Sequence, residues 1–208
     1  MKEEPIRVDV WSDYVCPFCY LEQPVLNRLA EEYQGKVVVQ WRAFELRPPP
    51  GPRLDPDGEY LHAIWNRAVY PMARQRGMRL RLPPIQPRSR RAFEAAQFAR
   101  ARGCFAEMHD ALFRALFQEG RDLSSLAVLL QVGASVGLDA SELNAALESG
   151  QYAAKVLEEE RLARAIGISG VPTMTVSQTG KVLGIDAVIA GAQPYECVQA
   201  GIESLLAA

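Results

Sequence analysis

An α/β fold interrupted by a long all-helical insertion is what this sequence predicts, and three observations carry the prediction. A β-branched and aromatic run at Ile6–Trp11 (IRVDVW), a helical stretch and a second such run (VVVQWRAF) give a βαβ start. About a hundred residues of helical periodicity follow, with no strand apparent. An αββα order then closes the chain. The expected domains are a discontinuous α/β unit over 1–58 and 166–208, and a helical insertion over 59–165.

The first strand is followed by polar Ser12 and Asp13 and then by a pair of cysteines, so the order there is strand, loop, helix. Leu21, Val25, Leu29 and Tyr33 recur one turn apart, which predicts a helix from about Cys16 to Tyr33, with Gly35 as its stop. Arg47 to Gly58 holds five prolines, which remove backbone donors and fix φ, so this segment is a connecting loop. In the helical block, Phe93, Ala96, Phe98 and Ala99 suit one amphipathic helix and Met108, Leu112, Ala115 and Leu116 another. Asp122 or Ser124 can cap a third, and Ser141 with Asn144 opens a fourth. A long helix from about Tyr152 to Ile166 leads to Gly170-Val171-Pro172. Thr173–Val176 then reads as a strand, Gln178-Thr179-Gly180 as a tight turn and Lys181–Gly184 as the returning strand. Pro194 sits in the first turn of a C-terminal helix that carries Cys197.

Composition narrows the function. With 208 residues, about half of them apolar, the chain can build a full core as a soluble globular protein. A net charge of −2 shows no basic excess, so neither a nucleic acid nor an anionic membrane is an expected partner. No apolar run approaches the roughly 20 residues of a membrane span. Met1–Pro5 carries no secretory signal, which sets the expectation of a cytoplasmic protein, where thiols are kept reduced. Four cysteines, two of them isolated at Cys104 and Cys197, are too few for a disulfide framework.

The chemistry lies in Cys16-Pro17-Phe18-Cys19. A thiolate is the attacking species in disulfide exchange, and at a helix N-terminus it faces unpaired N–H groups and the positive end of the dipole. Cys16 stands there. Cys19, three residues on, falls on the same side one turn later, where it can attack the mixed disulfide that Cys16 forms. Pro17 suits a first turn because its missing N–H would have no intrahelical partner. Neither Pro17 nor Phe18 offers a side-chain donor, and no Lys, Arg or His lies within several residues, so the expected thiol is moderately activated. Asp13 and Glu22 would oppose ionisation if they came close.

Other readings of the pair are weaker. Half a zinc site needs further N or S ligands, and no second C-x-x-C or H-x-H is present, so no metal is expected. Two structural buried cysteines would not explain the strand-loop-Cys setting. Val171-Pro172 says little alone, since an X-Pro bond can be cis at modest cost yet is usually trans. Asp9, an acid on the strand leading to the motif, is a candidate proton acceptor for Cys19, with Asp13 a second. Alternation along Ile6–Trp11 does not tell which face meets the site. Cys104 and Cys197 lie on apolar helical segments and are expected to be packed. His62 and His109 stand alone and read as surface or packed residues.

Taken in order, VDVWSDYVCPFCY, GISGVPTMTV and AGAQPYE resemble the DsbA-like thioredoxin-fold oxidoreductases, specifically the FrnE-type branch, over nearly the whole chain. The resemblance implies a thioredoxin fold split by the helical insertion, with Cys16 as nucleophile and Cys19 as resolving thiol. It also implies that Val171-Pro172 is a cis-proline loop facing Cys16, where backbone can pair with a bound peptide, flanked on the other side by Pro17 and Phe18. Phe18 stands where the branch often has Trp and DsbA has His, so strongly oxidising behaviour is not implied. In a reducing cytosol the pair would favour reduction or isomerisation of protein and peptide disulfides. No cofactor is called for beyond the redox-active pair, with glutathione a candidate reductant. A similar fold serves 2-hydroxychromene-2-carboxylate isomerases and kappa-class glutathione transferases, which typically have Ser at the nucleophile position; here both thiols are present. A non-catalytic peptide holdase is the third alternative, separable by its lack of thiol turnover.

Overall fold

The computed structural model describes residues 4–178 and 184–206. These form two compact units, one comprising 1–44 with 162–208 and the other 45–161. The first boundary thus falls right after the second strand, which gives the proline-rich segment 47–58 to the helical unit instead of the sheet unit. The second falls inside a helix.

In the first unit, β1 (Ile6–Ser12), β2 (Val37–Ala43), β3 (Thr173–Ser177) and β4 (Ala187–Ala190) form one sheet in the order β2-β1-β3-β4. β1 pairs parallel with β2 and antiparallel with β3, and β4 is antiparallel to β3. The register puts Val10, Trp41, Met174 and Ile189 on one face. α1 (Pro17–Glu32) and α9 (Tyr195–Leu206) pack together against the sheet. Gly201 of α9 lies so close to that face that an added Cβ would sit 3.1 Å from Ile189 Cδ1. Asp9, Trp11, Arg42, Thr173 and Thr175 occupy the other face. There Asp9, 2% exposed, accepts from Arg7 Nε and Arg42 Nε, each at 2.7 Å.

The returning strand differs from the expectation. Thr179–Leu183 lies outside the described residues, Gly184 is not in a strand, and the strand that pairs with β3 is Ala187–Ala190. Ala187-Val188-Ile189-Ala190 alternates between half-buried and exposed positions, the period of an edge strand, and Asp186 N–H donating to Val176 O (2.8 Å) sets its register.

The second unit holds α2 (Glu59–Ile64), which continues through a π-helical turn (Trp65–Val69) into α3 (Tyr70–Gln75), then α4 (Arg90–Ala101), α5 (Phe105–Phe117), α6 (Leu126–Ser135) and α7 (Ala140–Glu148). α8 (Ala153–Ala165) contains the boundary. α4 is buried from Ala92 to Ala99 and is therefore a central helix, not an amphipathic one. Its alanines allow close neighbours, and two of its polar side chains find partners, with Arg90 bridging Glu45 (2.8 Å) and Glu160 (3.1 Å) and Gln97 donating to Glu159 (3.2 Å), while burial pushes the Glu94 carboxyl up. Two caps differ from expectation. α6 has Ser125 at its N-cap while Asp122 turns the preceding loop by accepting from Ser124 N–H (2.8 Å), and α7 is capped by Asp139, which accepts from Glu142 N–H (2.8 Å). Asp139 with Glu142 three residues on is an acidic variant of the capping-box spacing.

His109 on α5 is buried between Phe105 (5.2 Å, stacked) and Phe113 (4.9 Å, edge-on). Burial, with the Arg100 charge second, pushes its imidazole down to about 3. An unfolded His titrates near 6.5, so between that pH and about 3 the unfolded chain binds a proton that the folded one does not. This contribution is complete above pH 6.5 and is lost as pH falls through the window. The urea midpoint should therefore drop between about pH 7 and about pH 4 more steeply in the wild type than in His109→Gln.

Candidate active site

The loop from β1 to α1 is built by local hydrogen bonds. Asp13 Oδ1 accepts from Val15 N–H (3.2 Å) and Asp13 O from Cys16 N–H (3.0 Å), which turns the chain at once into the helix. Cys16 is the N-cap residue, with φ −95° and ψ 112°, and Pro17 opens the first turn. Its sulfur has no bond to the helix N–H groups. It turns instead to the Val171 carbonyl, 3.6 Å away, to which the thiol donates. Val171-Pro172 is cis. Pro17 and Phe18 are partly exposed beside the thiol.

Cys16 is 5% exposed and Cys19 fully buried, and both are free thiols. Burial pushes the Cys19 thiol well above its ordinary range, and the hydrogen bond to Cys16 and the Cys16 charge raise it further. The Asp13 N–H, 3.5 Å from Cys19 Sγ, and the Ser12 hydroxyl pull the other way. Asp13 thus meets Cys19 through its backbone, while its carboxylate is engaged by Val15 N–H. Asp9 is not among the groups acting on Cys19; both its oxygens face arginines on the far side of β1 from Val8 and Val10. Sequence alternation left that side open, and the register decides it.

Three segments distant in sequence lock the site together. Gly191 N–H donates to Pro172 O (2.8 Å), and Gln193 N–H donates to Glu22 Oε2 (3.2 Å). The chain therefore runs from Cys16 to Val171-Pro172, on to Gly191–Gln193, and back through Glu22 to α1. Gly191 has φ +78°, a conformation open to glycine at little cost. Glu22, fully buried, is a residue that sequence reading treated only as a threat to thiolate formation. Its signal was an acid on the apolar stripe of α1, between Leu21 and Val25.

A groove of about 400 Å³ opens beside this loop, lined among others by Gly167, Ser169, Val171, Thr173, Val188 and Ala190. These residues carry no charge. Cys197 is exposed and Cys104 half-buried, so the expected packing fails for Cys197, which lies on the solvent side of α9 while Val198 and Ile202 face inward. His62 is exposed. Among the described residues no three His, Cys, Asp or Glu groups are placed to hold a metal ion, and no helix is long and apolar enough to cross a membrane.

Comparison with known proteins identifies the fold and the family. YwbO of Bacillus subtilis (strain 168), an uncharacterized protein, is 33% identical over 181 residues, 84% of this chain and 88% of its own. The crystal structure of the probable DsbA oxidoreductase SCO1869 from Streptomyces coelicolor superposes with a TM-score of 0.78 at 25% identity, covering 96% of this chain and 89% of its own. Two more share the fold. A 2-hydroxychromene-2-carboxylate isomerase has a TM-score of 0.78 at 23% identity over 96% of each chain. The cytosolic disulfide reductase DsbM from Pseudomonas aeruginosa has 0.71 at 22% over 96% of this chain and 98% of its own, and has also been solved with GSH. The family model of the DSBA-like thioredoxin domain matches residues 7–203, which takes in the sheet, the helical block and every segment of the site, and the chain belongs to that family.

Proposed function

We propose that the chain reduces or isomerises disulfides of proteins and peptides by dithiol exchange through Cys16 and Cys19. One observation carries this reading: a thiol at a helix start lies against the Val171 carbonyl of a cis-proline loop, with a second, buried thiol one turn behind it. The Cys16 thiolate attacks one sulfur of a substrate disulfide, forming a mixed disulfide and releasing the other sulfur as thiolate. Cys19 then gives up its proton and attacks Cys16 Sγ, which expels the second substrate thiolate and leaves a Cys16–Cys19 disulfide. Two equivalents of a thiol such as glutathione return the pair to the dithiol; DsbM, solved with GSH, makes that reductant the first to test. The uncharged groove beside Val171 offers room for extended polypeptide, whose backbone can pair with the loop. Pro17 and Phe18 form the other wall. A reducing, cytoplasmic setting fits this direction.

A 2-hydroxychromene-2-carboxylate isomerase shares the fold, but in this chain the second, buried thiol one turn behind Cys16 favours exchange, because it can resolve a mixed disulfide. Mass spectrometry of the oxidised protein should find a Cys16–Cys19 bridge, and the reduced protein should turn over insulin disulfides with glutathione. Oxidation that instead joins Cys104 to Cys197 and spares the motif would overturn the assignment, as would isomerase turnover without disulfide exchange.

A further inference from the structure

Glu22 is a fully buried acid on the apolar stripe of α1, one turn beyond Cys19. Taking such a group out of water is costly unless it is hydrogen-bonded, so its presence there is explained by what it binds. Its Oε2 accepts from Gln193 N–H (3.2 Å), in the loop between β4 and α9. Gly191 N–H ties that loop to the Pro172 carbonyl (2.8 Å), and Gln193 Nε2 ties it to the end of β4 by donating to Ala190 O (2.7 Å). All of these residues belong to the sheet unit.

The Cys16 thiol is a second link between the start of α1 and the Val171-Pro172 loop, donating to Val171 O at 3.6 Å. That bond needs the thiol proton. It is lost when Cys16 ionises to attack, and it stays lost in the mixed disulfide, where Sγ carries no hydrogen. The path through Glu22 has no such dependence, because its donors are the backbone amides of Gln193 and Gly191. Besides burial, Cys16, Asp13 and Ser12 act on the Cys19 thiol, so Glu22 works on the loop and not on that thiol.

We propose that Glu22 is a positioning residue which, through Gln193 and Gly191, keeps the Val171-Pro172 backbone set for a peptide substrate while Cys16 is reacting. The inference rests on the reading that polypeptide disulfides are the substrates, and it makes a buried side chain of α1 a determinant of peptide recognition. A small disulfide with no backbone to pair with the loop gains little from it.

The test compares Glu22→Gln, whose amide oxygen can still accept from Gln193 N–H, with Glu22→Leu, which cannot. Two substrates are used: a synthetic peptide with an intramolecular disulfide, and hydroxyethyl disulfide, which has no peptide backbone. Glu22→Leu should lower kcat/KM for the peptide about tenfold more than for hydroxyethyl disulfide, chiefly through KM, and Glu22→Gln should restore most of that difference. Equal effects on the two substrates, or a Glu22→Gln variant that discriminates against the peptide as strongly as Glu22→Leu, overturn the proposal. Amide hydrogen exchange gives a readout that needs neither turnover nor a folded Glu22→Leu protein. A neutral acceptor holds an N–H less tightly than a carboxylate, so in Glu22→Gln the Gln193 and Gly191 amides should exchange about threefold faster than in the wild type. Unchanged rates at both amides overturn the coupling. If the wild type reduces neither substrate, the disulfide-exchange reading fails by itself, and the amide rates still decide whether Glu22 holds the loop.

Discussion

Replacing Cys16 with Ser is expected to lower disulfide exchange to the uncatalysed rate, because a hydroxyl at the helix start cannot begin the attack. Cys19→Ser should fail differently. Cys16 remains against the Val171 carbonyl, so the first step proceeds and a mixed disulfide with glutathione or a substrate protein accumulates, visible as a mass adduct on Cys16. Burial explains this division. Cys19 is fully enclosed and its thiol is held well above the ordinary range, partly by the charge of Cys16 itself. Once Cys16 Sγ is tied up in the mixed disulfide, that charge is gone and Cys19 ionises more readily, so the resolving thiol is released at the step that needs it. The reverse pattern, an adduct on Cys19 in Cys16→Ser and none in Cys19→Ser, would exchange the two roles. Full activity in both variants would exclude the dithiol mechanism.

Asp9→Leu is expected to destabilise the fold by about 3 kcal/mol, read as a lower urea midpoint, because it removes the buried carboxylate that Arg7 and Arg42 share. Arg42 is 11% exposed and cannot easily reach water, whereas Arg7, at 24%, recovers part of its hydration, which holds the loss near the lower end for a broken buried pair. The rate at which Cys16 reacts with iodoacetamide should stay within about twofold of wild type, since the carboxylate faces arginines on the other side of β1. A large fall in that rate with unchanged stability would instead return Asp9 to the list of groups acting on the thiols.

Much of the site was legible in local patterns. Strand, polar loop and C-x-x-C with Pro17 placed both thiols at a helix start without any structure, since helix caps and one-turn spacing are short-range properties. The cap of α7 is legible too, in Asp139 with Glu142 three residues on, although Ser141 and Asn144 carry the same spacing two residues inside the helix. Other features were beyond local reading. Helical periodicity in α4 suggests one apolar face, but a helix rich in alanine and buried from Ala92 to Ala99 encloses Glu94 and Gln97 as well, and only a distant residue, Glu159, supplies the partner of Gln97.

The amino-acid sequence by itself determined the order of elements, with its helical block between a βαβ start and an αββα end, and the one-turn spacing of the two cysteines. These follow from periodicity, turn chemistry and spacing within a few residues, while the thioredoxin-type split was implied by the resemblance of three ordered motifs. The tertiary structure alone decided which face of β1 Asp9 takes, where β4 pairs, and that Glu22 and Gly191–Gln193 close the circuit around Val171-Pro172. Each of these depends on register or on contacts between residues more than a hundred positions apart, and a strand shifted by one residue presents the opposite set of side chains.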